Sequence, residues 1–447
     1  MLGRRRIVYR GLILSLIALV VSIPIVSARQ YSLRSLSSQE TPGVIWERHL
    51  GGPQWDYCYD LIEVSTGGYA LTGYTDSPWA GQEGKIWLVR LDSEGEPLWN
   101  QTYRYVADPE QSMGYSLLEC SDGGFAIAGY LGVTTHIEMV LIRTDTNGNQ
   151  LWNKTYGQGL FEDLVQCPDG GFALFGFTER VGVIGNDDFY LARTDSEGNL
   201  LWNYTYGGTE ADLSSRHCLV LCSDGGFAML GSSFSFGPEI ASKTEILLVR
   251  VDSSGNLLWY QTYGGPGYNH GSCLLETDKG FIIAGTSHAV GPWIIHTDAE
   301  GTVTSDHEYI SYAIWHRASG FGYAESMVRC SNGGYAIAGS AEGPTPDQDG
   351  GWLLRIDDSG HYLWDQLYSR TVSDILLAIV ESSEGGFLLA GTTARDSELN
   401  DVDVWLIRVA DQPTVPVYRL AAGVLGVGFA IILGVFVIRR RDRWPGL

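Results

Sequence analysis

The chain has 447 residues, 12% of them aromatic and 18% charged, with 57 glycines and a net charge of −23. Residues 1–43 and 412–447 hold 11 of the 29 Lys/Arg and 2 of the 52 Asp/Glu, so 44–411 keeps 18 basic and 50 acidic residues, a net −32. That field repels nucleic acid and anionic lipid and draws cations and basic partners, which argues against a nucleic-acid role.

The first 28 residues read as a signal peptide. Arg4, Arg5, Arg6 and Arg10 precede an uncharged apolar run from Gly11 to Val26, and Val26-Ser27-Ala28 offers small residues for cleavage. A linker over 29–43 follows. From there a module recurs: a Gly-Gly-aromatic turn, a strand ending in Arg-x-Asp, a Gly turn and usually a Trp. The second turn glycine or its equivalent falls at Gly68, Gly124, Gly171, Gly226, Gly280, Gly334 and Gly386. Six intervals span 318 residues, a mean period of 53. A repeat of this length predicts one supersecondary unit in a closed or stacked array.

Each module predicts four short strands. Leu201 to Tyr206 alternates and ends at Gly207-Gly208. A second strand near His217 to Leu221 leads into Asp224-Gly225-Gly226. Phe227 to Gly231 is the third, and Ile246 to Val251 the fourth. In third strands such as Phe125-Ala126-Ile127-Ala128-Gly129 neither face is polar, so both must be covered, as in a sheet packed between copies of itself. Asp-x-x-Gly turns begin at Asp92, Asp145, Asp195, Asp252, Asp298 and Asp357. Their recurrence favours turn chemistry over calcium loops.

Asp-x-x-Gly-x-x-x-Trp after an apolar strand, as in Leu91-Asp92-Ser93-Glu94-Gly95-Glu96-Pro97-Leu98-Trp99, resembles the tryptophan-docking motif of quinoprotein-like β-propellers, one residue shorter between Asp and Gly. Over 44–411 the repeat is similar to the exported β-propeller repeat proteins of archaea and bacteria. The resemblance implies a propeller fold and brings no activity with it. Trp-bearing strands occur at Trp46, Trp99, Trp152, Trp202, Trp259 and Trp364, with a degenerate copy at Val303 to Ile310. Pairing the opening Val44-Ile45-Trp46 strand with the closing Trp405-Leu406-Ile407-Arg408 strand gives 28 strands. The expected fold is therefore all-β: a seven-bladed β-propeller of four-stranded antiparallel blades over 44–411, closed by its two ends.

Short, uniform turns lie on one face of such a propeller. The variable segments lie on the other and present Asp76, Trp79, Glu83, Phe234, Phe236, Glu239, Asp347, Asp349, Asp396 and Asp401 as binding-loop residues. Asp56, Glu162, Asp212, Asn269 and Asp374 recur where the innermost strands begin. Such oxygens suit a divalent cation such as calcium, and equally suit capping of backbone amides, the reading that carries more weight. The arginines Arg90, Arg143, Arg193, Arg250, Arg355 and Arg408 are expected to pair with acids between blades. Asn100, Asn153 and Asn203 head Asn-x-Thr sequons and are glycosylation candidates. Cys120, Cys167, Cys222 and Cys330 share one repeat position, which reads as buried thiols rather than a disulfide framework.

A juxtamembrane linker at 412–419 leads to Leu420–Ile438, 19 residues without a charge, followed by Arg439, Arg440, Arg441 and Arg443 in a basic tail over 439–447. This predicts one transmembrane helix at 420–438 with its C-terminus inside and the large N-terminal part extracellular. Ala422, Gly426, Ala430 and Gly434 form a small-residue stripe of the kind that brings two helices together as a homodimer. The expected function is a cell-surface binding, adhesion or scaffold module for an extracellular protein or glycan. Two alternatives stand beside it: a propeller enzyme, quinone-dependent or glycan-acting, and a passive envelope component. No HExxH, GxSxG or Cys/His arrangement assigns catalytic or cofactor-binding residues.

Overall fold

Strands are the only regular elements among the described residues of this computed structural model, which are 43–77, 85–103, 112–133, 136–178, 187–236, 243–265, 267–287, 291–308, 322–342, 349–369, 373–394 and 402–411. All belong to the unit Thr41–Leu447. The expected signal peptide, the expected linkers apart from Gly43, the expected transmembrane helix and the basic tail lie outside them. Among the described residues no helix is long and apolar enough to cross a membrane.

After β1 (Val44–Leu50), the strands β2 (Asp56–Glu63), β3 (Tyr69–Thr75), β4 (Lys85–Leu91) and β5 (Pro97–Tyr103) form a first antiparallel sheet in sequence order. Next come β6 (Met113–Glu119), β7 (Phe125–Val133), β8 (His136–Thr144), β9 (Gln150–Gln166), β10 (Phe172–Thr178), β11 (Asp188–Thr194) and β12 (Leu200–Tyr206), hydrogen-bonded as one seven-stranded sheet. The long β9 explains this. Its first half pairs with β8 and its second half, from Gly159, with β10, so two four-stranded ladders share it.

The fourth ladder is β13 (Asp212–Leu221), β14 (Phe227–Ser233), β15 (Glu245–Val251) and β16 (Leu257–Tyr263). The fifth is β17 (Asn269–Thr277), β18 (Gly280–Ser287), β19 (Gly291–Thr297) and β20 (Val303–Glu308). The sixth is β21 (Gly322–Arg329), β22 (Tyr335–Glu342), β23 (Asp349–Ile356) and β24 (Tyr362–Tyr368). In the last, β25 (Asp374–Glu381), β26 (Phe387–Ala394) and β27 (Val402–Val409) are completed by β1, which pairs antiparallel with β27.

Burial follows the sequence pattern. Both faces of β3, β14 and β26 are buried, whereas the outer β5, β12 and β16 are exposed or half-buried apart from Tyr103 and Tyr263 at the ends of β5 and β16. Apolar clusters lie between consecutive ladders, and one of them joins Leu388 and Val404 of the last ladder to Leu71 and Trp87 of the first. Burial of this apolar surface is the main term holding neighbouring ladders together.

Two polar devices reinforce those contacts. The Asp-x-x-Gly aspartates accept amide hydrogen bonds two and four residues on, as Asp145 does from Asn147 and Asn149 at 2.9 and 2.8 Å. The turn glycine is left-handed, φ +76° at Gly148, and a Cβ there would meet the Trp99 indole of the preceding ladder at 2.6 Å. Only glycine satisfies both demands. Tyr103, also on that ladder, donates its hydroxyl to the Gly148 carbonyl at 2.6 Å. On the same side, Glu119 accepts from Ser65, Glu276 from Ser223 and Glu381 from Ser331 across successive ladders. Glu63 accepts from Ser383 in the same way, tying the last ladder to the first.

The repeated arginines meet expectation in one case: Arg355 of the sixth ladder lies 4.0 Å from Asp411 at the end of the last. Others serve their own ladder: Arg143 donates to the carbonyl of Phe125 and pairs with Asp122 of the adjoining turn, and Arg193 pairs with Asp169 at 2.5 Å. In these the side chain runs back toward the turn of its own ladder and pins it. All seven cysteines are buried free thiols.

Candidate functional site

The innermost strand of every ladder carries a bulge. Register shifts leave Tyr59, Tyr115, Glu162, Ser272, Glu325 and Leu377 as single extra residues. A bulge re-aims side chains out of the ladder. In β13 the irregularity is larger. Ser214 pairs with Gly231 and Leu219 with Met229, so Ser215, Arg216, His217 and Cys218 stand against Leu230 alone.

This excursion meets bulge residues of other ladders. The Arg216 guanidinium carbon sits 5.2 Å from the centroid of Tyr59, and its Nη2 is 3.1 Å from Glu325 Oε2. Ser214 donates to Glu162 from the third ladder. The Tyr59 and Tyr115 rings are 4.9 Å apart, and Tyr57 stacks on Tyr59 at 6.0 Å. Five ladders thus contribute to one cluster. The side chains of Arg216 and Glu325 keep 22% and 26% of their surface exposed, so water reaches them.

Its electrostatics follow from depth. Burial by itself would lower the Arg216 pKa, but the carboxylates of Glu325 and Glu162, with Tyr59 and Tyr115, outweigh it and hold the group above its ordinary value. Burial pushes Glu162 up against the opposing effects of Ser214 and Arg216. His217 is driven down to about 4 by burial and then by Arg216, and stands as a neutral imidazole. Its Nε2 is buried without a hydrogen-bond partner. Among the described residues it is also the one non-glycine with positive φ, +55°. Left-handed backbone at such a residue costs on the order of 1–3 kcal/mol and is retained where surrounding structure imposes it. His270 flanks the excursion, with Ser215 Oγ 3.3 Å from Nε2 and Ser232 Oγ 2.5 Å from Nδ1.

Two buried aspartates also anchor inner strands. Asp60 accepts from Leu61 and, on the next ladder, from Leu117, both at 2.7 Å. Asp163 accepts from Ser116 at 3.0 Å and Leu219 at 2.8 Å, joining the ladders on either side of its own. Burial pushes Asp60 up to about 7 and Asp163 up to about 6.

The residues expected to offer oxygens separate into two groups. Asp56, Asp212, Asn269 and Asp374 each begin an inner strand and are buried. Asp56 accepts from Gly52 N at 2.8 Å and Ser77 Oγ at 2.6 Å, and Asp212 from Gly208 N at 2.8 Å and Ser235 Oγ at 2.7 Å. Asn269 donates to Thr244 O at 3.1 Å. Asp56, Asp212 and Asn269 therefore tie down the crossover and loop segments beside them. Glu162 is not their equivalent. The matching register position on β9 is Gly159, opposite Thr178 as Asp56 is opposite Thr75, and Glu162 lies three residues further at the bulge. Among the described residues no group of three or more His, Cys, Asp or Glu is placed to hold a metal ion.

Of the binding-loop residues, the Asp76 amide donates to Trp55 O, Phe234 is exposed, Phe236 packs on Tyr260 at 4.8 Å, and Asp349 is exposed at the start of β23. Trp79, Glu83, Glu239, Asp347, Asp396 and Asp401 lie outside the described residues. Asn100, Asn153 and Asn203 are exposed on outer strands. Sequence reasoning missed Tyr59, Tyr115, Arg216, His217 and Glu325. One signal was present: five positions separate Asp56 from Leu61, whereas seven separate Asp212 from the matching Leu219.

No family model and no curated protein matches the chain. Among solved structures it is similar to a protein of unknown function from Bacteroides caccae, at 15% identity and TM-score 0.40, covering 65% of this chain and 93% of that one. It is also similar to Sqt1 from Chaetomium thermophilum, at 11% identity and TM-score 0.45, covering 79% and 82%.

Proposed function

We propose that the chain is a seven-bladed propeller that acts as a binding module, exported and held at the cell surface by its 420–438 segment. Its ligand, a protein or glycan, approaches from the face bearing the variable loops and seats on the inner-strand cluster around Arg216. The closed seven-fold reading draws on the β1–β27 pairing and the Glu63–Ser383 contact. The observation that carries the functional reading is the meeting of bulge residues from five ladders around Arg216 and Glu325, which stay partly exposed, with strained backbone at the adjacent His217. Charged groups held this way cost stability, and a core built for packing alone would have apolar residues there.

The test is glycan-array and peptide-library screening of the full chain in detergent, with Tyr115→Ala as control. A ligand that Tyr115→Ala loses while thermal unfolding stays cooperative supports the reading. Ligands indifferent to Tyr115 refute it. A glycan-cleaving reading draws on Glu162, whose raised pKa suits a proton donor, and would show as new reducing ends.

A further inference from the structure

We propose that Tyr59, Tyr115, Glu162 and Glu325 form a guanidinium-binding site that Arg216 fills as an internal stand-in, and that an arginine side chain of a basic peptide partner replaces it. The inference rests on the binding-module reading and adds the chemical class of the ligand.

Three observations converge. The first is the chemistry of the pocket. A tyrosine face at 5.2 Å and a carboxylate at 3.1 Å surround the cation, with a second carboxylate acting on it, and this combination recognises a planar, weakly hydrated guanidinium. Glu162, which accepts from Ser214 two residues before Arg216, places a second acidic side chain beside the cation.

The second is how Arg216 gets there. The other inner strands need one extra residue at their bulge, and β13 uses three. The excursion that seats Arg216 forces His217 into left-handed backbone and leaves its Nε2 buried and unpartnered. A segment present only for packing would gain by shortening. A segment that can leave gains by releasing this strain when another guanidinium takes over. The third is the net −32 of residues 44–411, which steers basic partners toward the protein.

Binding of acetyl-Gly-Arg-Gly-amide to the full chain in detergent is compared with its lysine and citrulline analogues by calorimetry. If the internal arginine occupies the pocket at least nine-tenths of the time, Arg216→Ala binds the arginine peptide roughly tenfold or more tightly than wild type. The citrulline peptide does not bind, the lysine peptide binds more weakly, and Glu325→Gln added to Arg216→Ala abolishes binding. In wild type, saturating arginine peptide raises amide exchange over residues 214–218. Should Arg216→Ala not fold, Arg216→Gln and the exchange measurement on wild type decide.

A folded variant that does not distinguish arginine from citrulline overturns the assignment, as does peptide binding with exchange over 214–218 unchanged. A ligand that needs Tyr115 but does not compete with the arginine peptide leaves the binding-module reading standing and overturns the guanidinium site. Absence of any Tyr115-dependent ligand overturns the module reading itself.

Discussion

Replacing Asp60 by Asn changes how stability depends on pH, and the structure gives both sign and size. Asp60 is buried, and its pKa rises from 3.8 to about 7. The folded state therefore holds the proton more tightly than the unfolded state. Its contribution is fully present below pH 3.8 and is lost as pH climbs through about 7. A shift of about three units at 1.36 kcal/mol each makes the native state ~4 kcal/mol less stable at pH 8 than at pH 4 on this account. Asp163, raised to about 6, adds a loss of the same sign, and its charge is among the lesser causes that raise Asp60. Turn carboxylates such as Asp169, held down by Arg193, act oppositely and lose their contribution on acidification. Stability should therefore peak near pH 4 to 5.

Urea unfolding at half-unit steps from pH 4 to 8 reads this directly. Asp60→Asn is less stable than wild type at pH 4, because the amide cannot accept from both Leu61 and Leu117. The two curves then converge toward pH 8. Parallel curves across the whole range would refute the reasoning.

Three further outcomes follow from the same contacts. Gly198→Ala places a methyl 2.7 Å from the Trp152 indole at φ +75° and should lower stability by about 2 kcal/mol, read as a shifted urea midpoint with unchanged slope. Glu63→Ala removes hydrogen bonds from Ser383 at 3.0 and 2.7 Å and should cost about 1 kcal/mol, matching Glu276→Ala at an internal junction. No cost at Glu63 alone would count against closure of the array. The seven cysteines should resist a thiol reagent in the native protein and all react after denaturation without reductant. Fewer than seven reactive thiols would reveal a disulfide.

How much could be read in advance depends on what is local. The Asp-x-x-Gly turns were legible because Asp145 and Gly148 act within five residues, through an amide acceptor and a left-handed φ. Strands such as β7, second in their ladders, were legible because apolar residues on both faces demand cover on both sides. The roles of Arg143 and Arg193 were not, since whether a guanidinium reaches its own turn or a neighbouring ladder depends on side-chain direction. Glu162 was grouped with Asp56 by counting along the chain, and only pairing with β10 moved it to the bulge.

By itself the sequence determined the strand-rich repeat and its turn chemistry, since both depend on contacts between residues close along the chain. Which side chains share a pocket was left to tertiary structure. Tyr59, Glu162, Arg216 and Glu325 come from four ladders across more than 260 positions. They meet because each sits on an inner strand whose register slips at the same height. That coincidence is a property of strand pairing, which one-dimensional spacing does not encode.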